Sequence, residues 1–190
     1  MPFTKKWVML TDQPDFSNSF NRLYHVSEEP GIELFEPRPS PSFYEQIAGD
    51  VVFAISETML HNYLLPRNCP RVTFYAAPST TIADSERFIG ASSARYFITV
   101  DAAWYSRIKA AQLYLYEFPA GNFILLDECA GYYISYQTVK PVSVTQIDDV
   151  IAALLSRNVE LRFTPSLVHL AKDIAGSTLN FSNIRLRNAM

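Results

Sequence analysis

The stretch RLYHVSEEPGIELFEPRPSPS, from Arg22 to Ser42, places a histidine and a serine two residues apart in an apolar run. The strand period is two, so Leu23, His25 and Ser27 share one face and Tyr24 and Val26 the other. An imidazole and a hydroxyl stacked on one sheet face can hold the hydroxyls or amide of a ligand. The plainer alternative is a structural histidine near a strand end. Glu28 and Glu29 follow, then a proline-rich segment that cannot be helical. Arg38 stands between two prolines, presented by extended backbone either to a phosphate or carboxylate or simply to water.

Two further stretches carry reactive residue types. In LLPRNCPRVTF, Arg67 and Arg71 flank Cys69. Two guanidinium groups can lower a thiol pKa, and a Cys69-dependent hydrolase would follow if a histidine such as His61 approached. The alternative for Cys69 is a small core residue. In LLDECAGYYISYQTVKPVSV, Asp127 and Glu128 precede a turn, and Gly131 allows backbone or a ligand to come close. Tyr132 and Tyr133 then project to opposite strand faces. Acid, glycine and tyrosine together suit a ligand pocket, whereas strand tyrosines also build cores. Arg185 and Arg187 alternate near the end of the chain, on a last strand or in a solvated tail. No phosphate loop, dinucleotide fingerprint, zinc motif or nucleophile elbow is present.

Composition limits the function classes. The 190 residues are 48% hydrophobic and 18% charged, which suits a folded chain with a real core. Thirteen Phe and 11 Tyr point to a sheet-rich interior with phenols to satisfy. A net charge of −3 does not indicate nucleic-acid binding overall. Two cysteines indicate neither a disulfide framework nor a metal site, and a reduced cytoplasmic setting is expected. MPFTKKWVMLTDQPD lacks the apolar core of a signal peptide. No apolar run approaches the roughly 20 residues of a membrane span. Partners and oligomeric state are not specified.

These residues need elements to position them. Residues 1–21 read as an N-terminal extension, in which KKWVML could add an edge strand, and residues 22–190 as one α+β domain. RLYHVS, DVVFAIS, PRVTFYA, ARYFITVD, QLYLYEF, FILLDE, GYYISYQ and KPVSVTQI read as strands. Their short connections favour antiparallel or mixed pairing in a split or bent sheet. About four helices are expected. One follows Ser56, one covers 102–111, one covers 145–158 capped by Thr145, and one covers 164–177 with Pro165 first and Gly176 as its stop. In the third, Ile147, Val150, Ile151, Leu154 and Leu155 share a face expected to be buried.

LYHVSEEPGIELFEPRPSPS, NYLLPRNCPRVTFYA, GASSARYFITVDAAW and AGYYISYQTVKPVSV together resemble an uncharacterised family of small bacterial proteins over most of residues 22–188. A shorter resemblance is to the ADP-ribosyltransferase-like fold, including RNA 2′-phosphotransferases. Those proteins open with an aromatic–His–Ser/Thr strand whose histidine touches the ribose of NAD, and Tyr24-His25-Val26-Ser27 is similar. A tyrosine on a helix after the next strand has a counterpart in Tyr63, and the late strand has one in GYYISYQTVKPVSV. The glutamate of that strand is expected near Gly131 or Tyr132, and Glu128 lies a few residues before it. The resemblance implies binding of NAD or a related nucleotide with His25 and Ser27 at ribose and amide edges. Tyr132 and Tyr133 would line the cleft, Arg38 or Arg71 would meet phosphate, and Glu128 is the catalytic candidate. Because Glu128 is displaced, binding without transfer is expected, and the competing class is a non-catalytic structural or interaction module.

Overall fold

The computed structural model describes residues 22–40 and 43–189. The expected N-terminal extension, with KKWVML, lies outside the described residues. Among the described residues ten strands form two sheets. The large sheet has the order β6-β7-β2-β1-β5-β8 and the small one β10-β3-β4-β9. In the large sheet β1 is Leu23–Ser27, β2 Val52–Ser56, β5 Leu113–Phe118, β6 Ile124–Asp127, β7 Tyr132–Ser135 and β8 Ser143–Ile147. In the small sheet β3 is Arg71–Tyr75, β4 Tyr96–Asp101, β9 Val159–Thr164 and β10 Asn180–Ile184. All pairings are antiparallel except β4 with β9. That parallel pair is separated in sequence by β5 to β8, so the required long crossover is built from strands of the other sheet. The α+β class agrees with expectation. Of the expected split or bent sheet, the split form is the one found, as two separate sheets.

Alternation along the strands explains the layers. Tyr24, Ile55, Leu113 and Leu115 of the large sheet meet Tyr96, Ile98, Val100 and Val159 of the small one in the central core. Val72, Phe74 and Phe97 face away from it and are covered by Leu167, Ala171 and Ile174. Leu23, Val52, Ala54, Tyr116 and Phe118 form the outer face of the large sheet, over which Phe35 and Val139 are laid.

The helices are short. α1 (Ile82–Asp84) runs into a π-helical turn over Ser85–Ile89, and α2 (Tyr105–Ala110), α3 (Val150–Leu155) and α4 (Val168–Ala175) follow. The segment after Ser56 is a 3-10 helix, Glu57–Asn62. The expected helix over 145–158 is corrected. Ser143–Ile147 continues the sheet as β8, and the helix starts where Asp149 accepts from the Ala152 amide at 2.8 Å. Val150 and Leu154 are buried while Leu155 is 57% exposed, because the six-residue helix has room for a narrow apolar stripe only. α4 ends at Gly176 as expected but starts after Leu167, since residues through Thr164 pair as β9. Among the described residues no helix is long and apolar enough to cross a membrane.

The core contains a titratable ring with a predictable consequence. His61 is 3% exposed and lies against Tyr96 with ring centroids 3.9 Å apart. Burial pushes its imidazole from 6.5 down to about 4, against the raising effect of a hydrogen bond the ring donates to the Thr58 backbone. Between those values the unfolded chain binds a proton that the folded chain does not. Stability therefore falls as pH drops from 6.5 to about 4, by about 3 kcal/mol from this group. Urea melts across that window should show the loss, and His61→Phe should flatten it. Equal slopes in the two proteins would exclude His61 as the cause.

Candidate functional site

β1 and β2 pair only at Leu23↔Ser56 and Tyr24↔Ile55 and then part. Backbone groups alternate sides along an antiparallel strand, so Ile55, Phe53 and Val51 all present theirs toward β1. Ile55 finds Tyr24 there. Val51 finds Arg38 instead, in a bridge with N–O distances of 2.9 and 3.1 Å. Between them, the Phe53 carbonyl is met by His25 Nδ1 at 3.1 Å. A carbonyl only accepts, so Nδ1 carries the proton and Nε2 is the acceptor atom of the ring. The ring packs on Phe35 at 4.9 Å. Burial holds its pKa below the ordinary histidine value, and the positive charges of Arg67 and Arg38 lower it further. His25 is thus a neutral ring in the parting of two strands, with two guanidinium groups near enough to act on it.

His25 and Ser27 lie on one strand and one face, as alternation requires. Ser27 Oγ accepts the Glu29 amide at 3.0 Å and turns the chain out of the strand. Glu28 accepts the amide of Arg67 at 3.4 Å, bringing the 66–69 loop to the end of β1. Tyr133, opposite Ala54, is on the same outer face of the large sheet. Tyr132 is on the inner face, hydroxyl to hydroxyl with Tyr63. Glu128 is exposed in the turn before β7, beyond the Ser56 end of β2 and away from the parting. The structure therefore brings together His25, Ser27 and Arg38, and adds Arg67. It places Tyr133 beside them on the same face and sets Tyr132, Arg71 and Glu128 elsewhere.

Arg71 is 2% exposed. Its Nε donates to Asn62 O at 2.8 Å, and its Nη1 to Cys69 O at 3.0 Å and Pro66 O at 3.3 Å. These bonds lace the 62–70 segment onto β3. Arg67 was present in the sequence beside Cys69, but its neighbour is set by the contact to Glu28, 39 residues away, which spacing alone does not reveal. Asp127 likewise acts at short range, accepting the Ala130 amide at 2.9 Å in the turn.

The thiols part in the same way. Cys69 is fully buried and its Sγ faces Pro70 O at 3.7 Å. Burial pushes it up to about 11 despite the opposing field of Arg71, so it is a protonated thiol at neutral pH. Cys129 is an exposed free thiol. A disulfide-exchange reagent should therefore label one thiol quickly under native conditions and the second only on unfolding. Mass mapping should assign the fast one to Cys129. Fast labelling of Cys69 would restore the hydrolase alternative. Among the described residues no cluster of three or more His, Cys, Asp or Glu could hold a metal.

A groove of about 420 Å³ adjoins the end of β1, lined by Glu28, Asn68, Trp104, Arg107 and Gln112 among others. Arg107 lies over the Trp104 ring at 4.8 Å. No curated protein and no solved structure matches the chain. Residues 24–189, which carry the parted strands, both arginines and the groove, match the family of unknown function DUF6886, and the chain belongs to that family.

Proposed function

We propose that the protein binds a nucleotide, NAD being the case its opening strand suits, where β1 and β2 part. The observation that carries this is the placing of a neutral His25 in that parting, flanked by Arg38 and Arg67. An acceptor Nε2 suits a ribose hydroxyl, and two guanidinium groups suit a diphosphate. The resemblance of YHVS to the opening strand of the ADP-ribosyltransferase-like fold supports the same ligand. Transfer chemistry is not part of the proposal, because Glu128 stands beyond the far end of β2.

Thermal denaturation with NAD, ADP and adenosine is the test. A ligand at 100 times its dissociation constant stabilises by about 2.7 kcal/mol. Paired replacement of Arg38 and Arg67 by alanine should weaken binding of NAD and ADP at least about tenfold and spare adenosine more. Absence of any saturable shift with all three would end the nucleotide proposal. The competing function is a structural or interaction module, favoured by the use of His25 to satisfy the Phe53 carbonyl that β1 abandons. His25→Ala decides between them: lost ligand response in a folded protein supports binding, and loss of the fold supports the module.

A further inference from the structure

The face of the large sheet opposite His25 presents an electrostatic imbalance. Arg71 is fully enclosed, and all of its bonds given above go to neutral carbonyls. The ion pairs of Arg87 with Asp173 and of Arg162 with Glu160 do not include Arg71. A buried cation held by neutral carbonyls keeps its charge and projects its field onto whatever borders it. Its guanidinium carbon lies 5.7 Å from the centre of the Tyr63 ring. Tyr63 and Tyr132 share one hydroxyl-to-hydroxyl hydrogen bond, in which one phenol donates and the other keeps its own proton to give. Arg185 follows directly on Ile184, which is paired with Arg71, so a second guanidinium joins the same end of the small sheet. Its backbone is left-handed at φ 53°, an uncommon setting for a side chain this large. Its charge is felt by both Arg71 and Tyr132. Tyr63, Tyr132 and Arg185 are each partly exposed. Asp127 acts on Tyr132, and its Oδ1 is engaged by the Ala130 amide.

We propose that Tyr63, Tyr132 and Arg185, in the field of Arg71, form a second site, which takes a phosphate group. The unspent phenolic proton and the Arg185 guanidinium supply donors, and the enclosed Arg71 supplies charge without touching the ligand. This site is independent of the nucleotide proposal, since the two lie on opposite faces of the large sheet.

The test is thermal denaturation of the full chain against inorganic phosphate, with chloride at equal ionic strength as reference. The expected result is a saturable rise in Tm that chloride does not give. Tyr63→Phe/Tyr132→Phe and, separately, Arg185→Gln should each weaken the phosphate response at least about tenfold. The Arg38→Ala/Arg67→Ala protein should keep it. Glycerol phosphate in place of inorganic phosphate separates a monoester site, where it binds as well or better, from a site for the free ion, where it binds worse. If the double phenylalanine variant does not fold, Arg185→Gln decides alone. A shift equal to that of chloride, or one unchanged in Arg185→Gln, overturns the proposal. A response lost only on replacing Arg38 and Arg67 overturns it too, since phosphate would then be bound at the first site.

Discussion

Replacing Gly131 with alanine is expected to destabilise the fold by about 2–5 kcal/mol, the sum of a left-handed backbone cost and an overpacking cost. Gly131 has φ +68°, and a Cβ built on it would fall 2.5 Å from Ser56 Oγ and 2.7 and 2.8 Å from Cγ and Cβ of Met59. The backbone cannot retreat freely, because Gly131 O accepts the Ser56 amide at 2.9 Å where β7 joins β2. Other glycines separate the two costs. Gly49 has φ +101° with nothing within 4 Å of the added carbon, so Gly49→Ala should show backbone strain alone, about 1–3 kcal/mol. Gly121 has neither a positive φ nor a near neighbour, so Gly121→Ala should be close to neutral. Denaturant midpoints of the three variants measure this directly. A loss at Gly131 no larger than at Gly49 would show that Met59 and Ser56 move aside at little cost.

The same glycine shows what the sequence can and cannot disclose. A glycine before an aromatic strand announces a close approach, and one exists, but the approaching atoms belong to Ser56 and Met59. Identity of the neighbour is a tertiary fact. Strand periodicity was legible: alternation put His25 and Ser27 on one face and Tyr132 and Tyr133 on opposite faces, and the strands of the large sheet were readable from their apolar runs. Periodicity failed where two patterns overlapped. Residues 143–155 carry a strand followed by a short helix, and Ile147, Val150, Ile151 and Leu154 happen to keep helical spacing across both. β9 went unread because Glu160 and Arg162 interrupt its apolar run, and in the structure these two pair with each other at 2.7 Å. The parting of β1 from β2 left no mark in composition. It depends on Arg38 displacing β1 from Val51, a contact between a loop and a strand.

Arg71→Ala is expected to cost more than about 4 kcal/mol, the range reserved for breaking a buried polar network. The substitution strands three carbonyls, of Asn62, Pro66 and Cys69, each worth about 1–3 kcal/mol when left unmet in the interior. It also leaves a void where a large, fully enclosed side chain stood. Arg71→Lys keeps the charge but cannot reach three carbonyls set around a planar fork, so its loss should be intermediate. Urea denaturation orders the three proteins, and a loss below about 1 kcal/mol in Arg71→Ala would show that the 62–70 segment is held by other contacts. The consequence extends to the site. The laced segment carries Arg67, whose amide is tied to Glu28 at the end of β1, and Tyr63, whose hydroxyl meets Tyr132. Arg71 was a candidate for direct contact with phosphate. Enclosed as it is, it positions other residues, so in Arg71→Lys nucleotide and phosphate binding should both weaken while the chain still folds. A variant that folds less stably yet binds both ligands with parental affinity would confine Arg71 to stability alone.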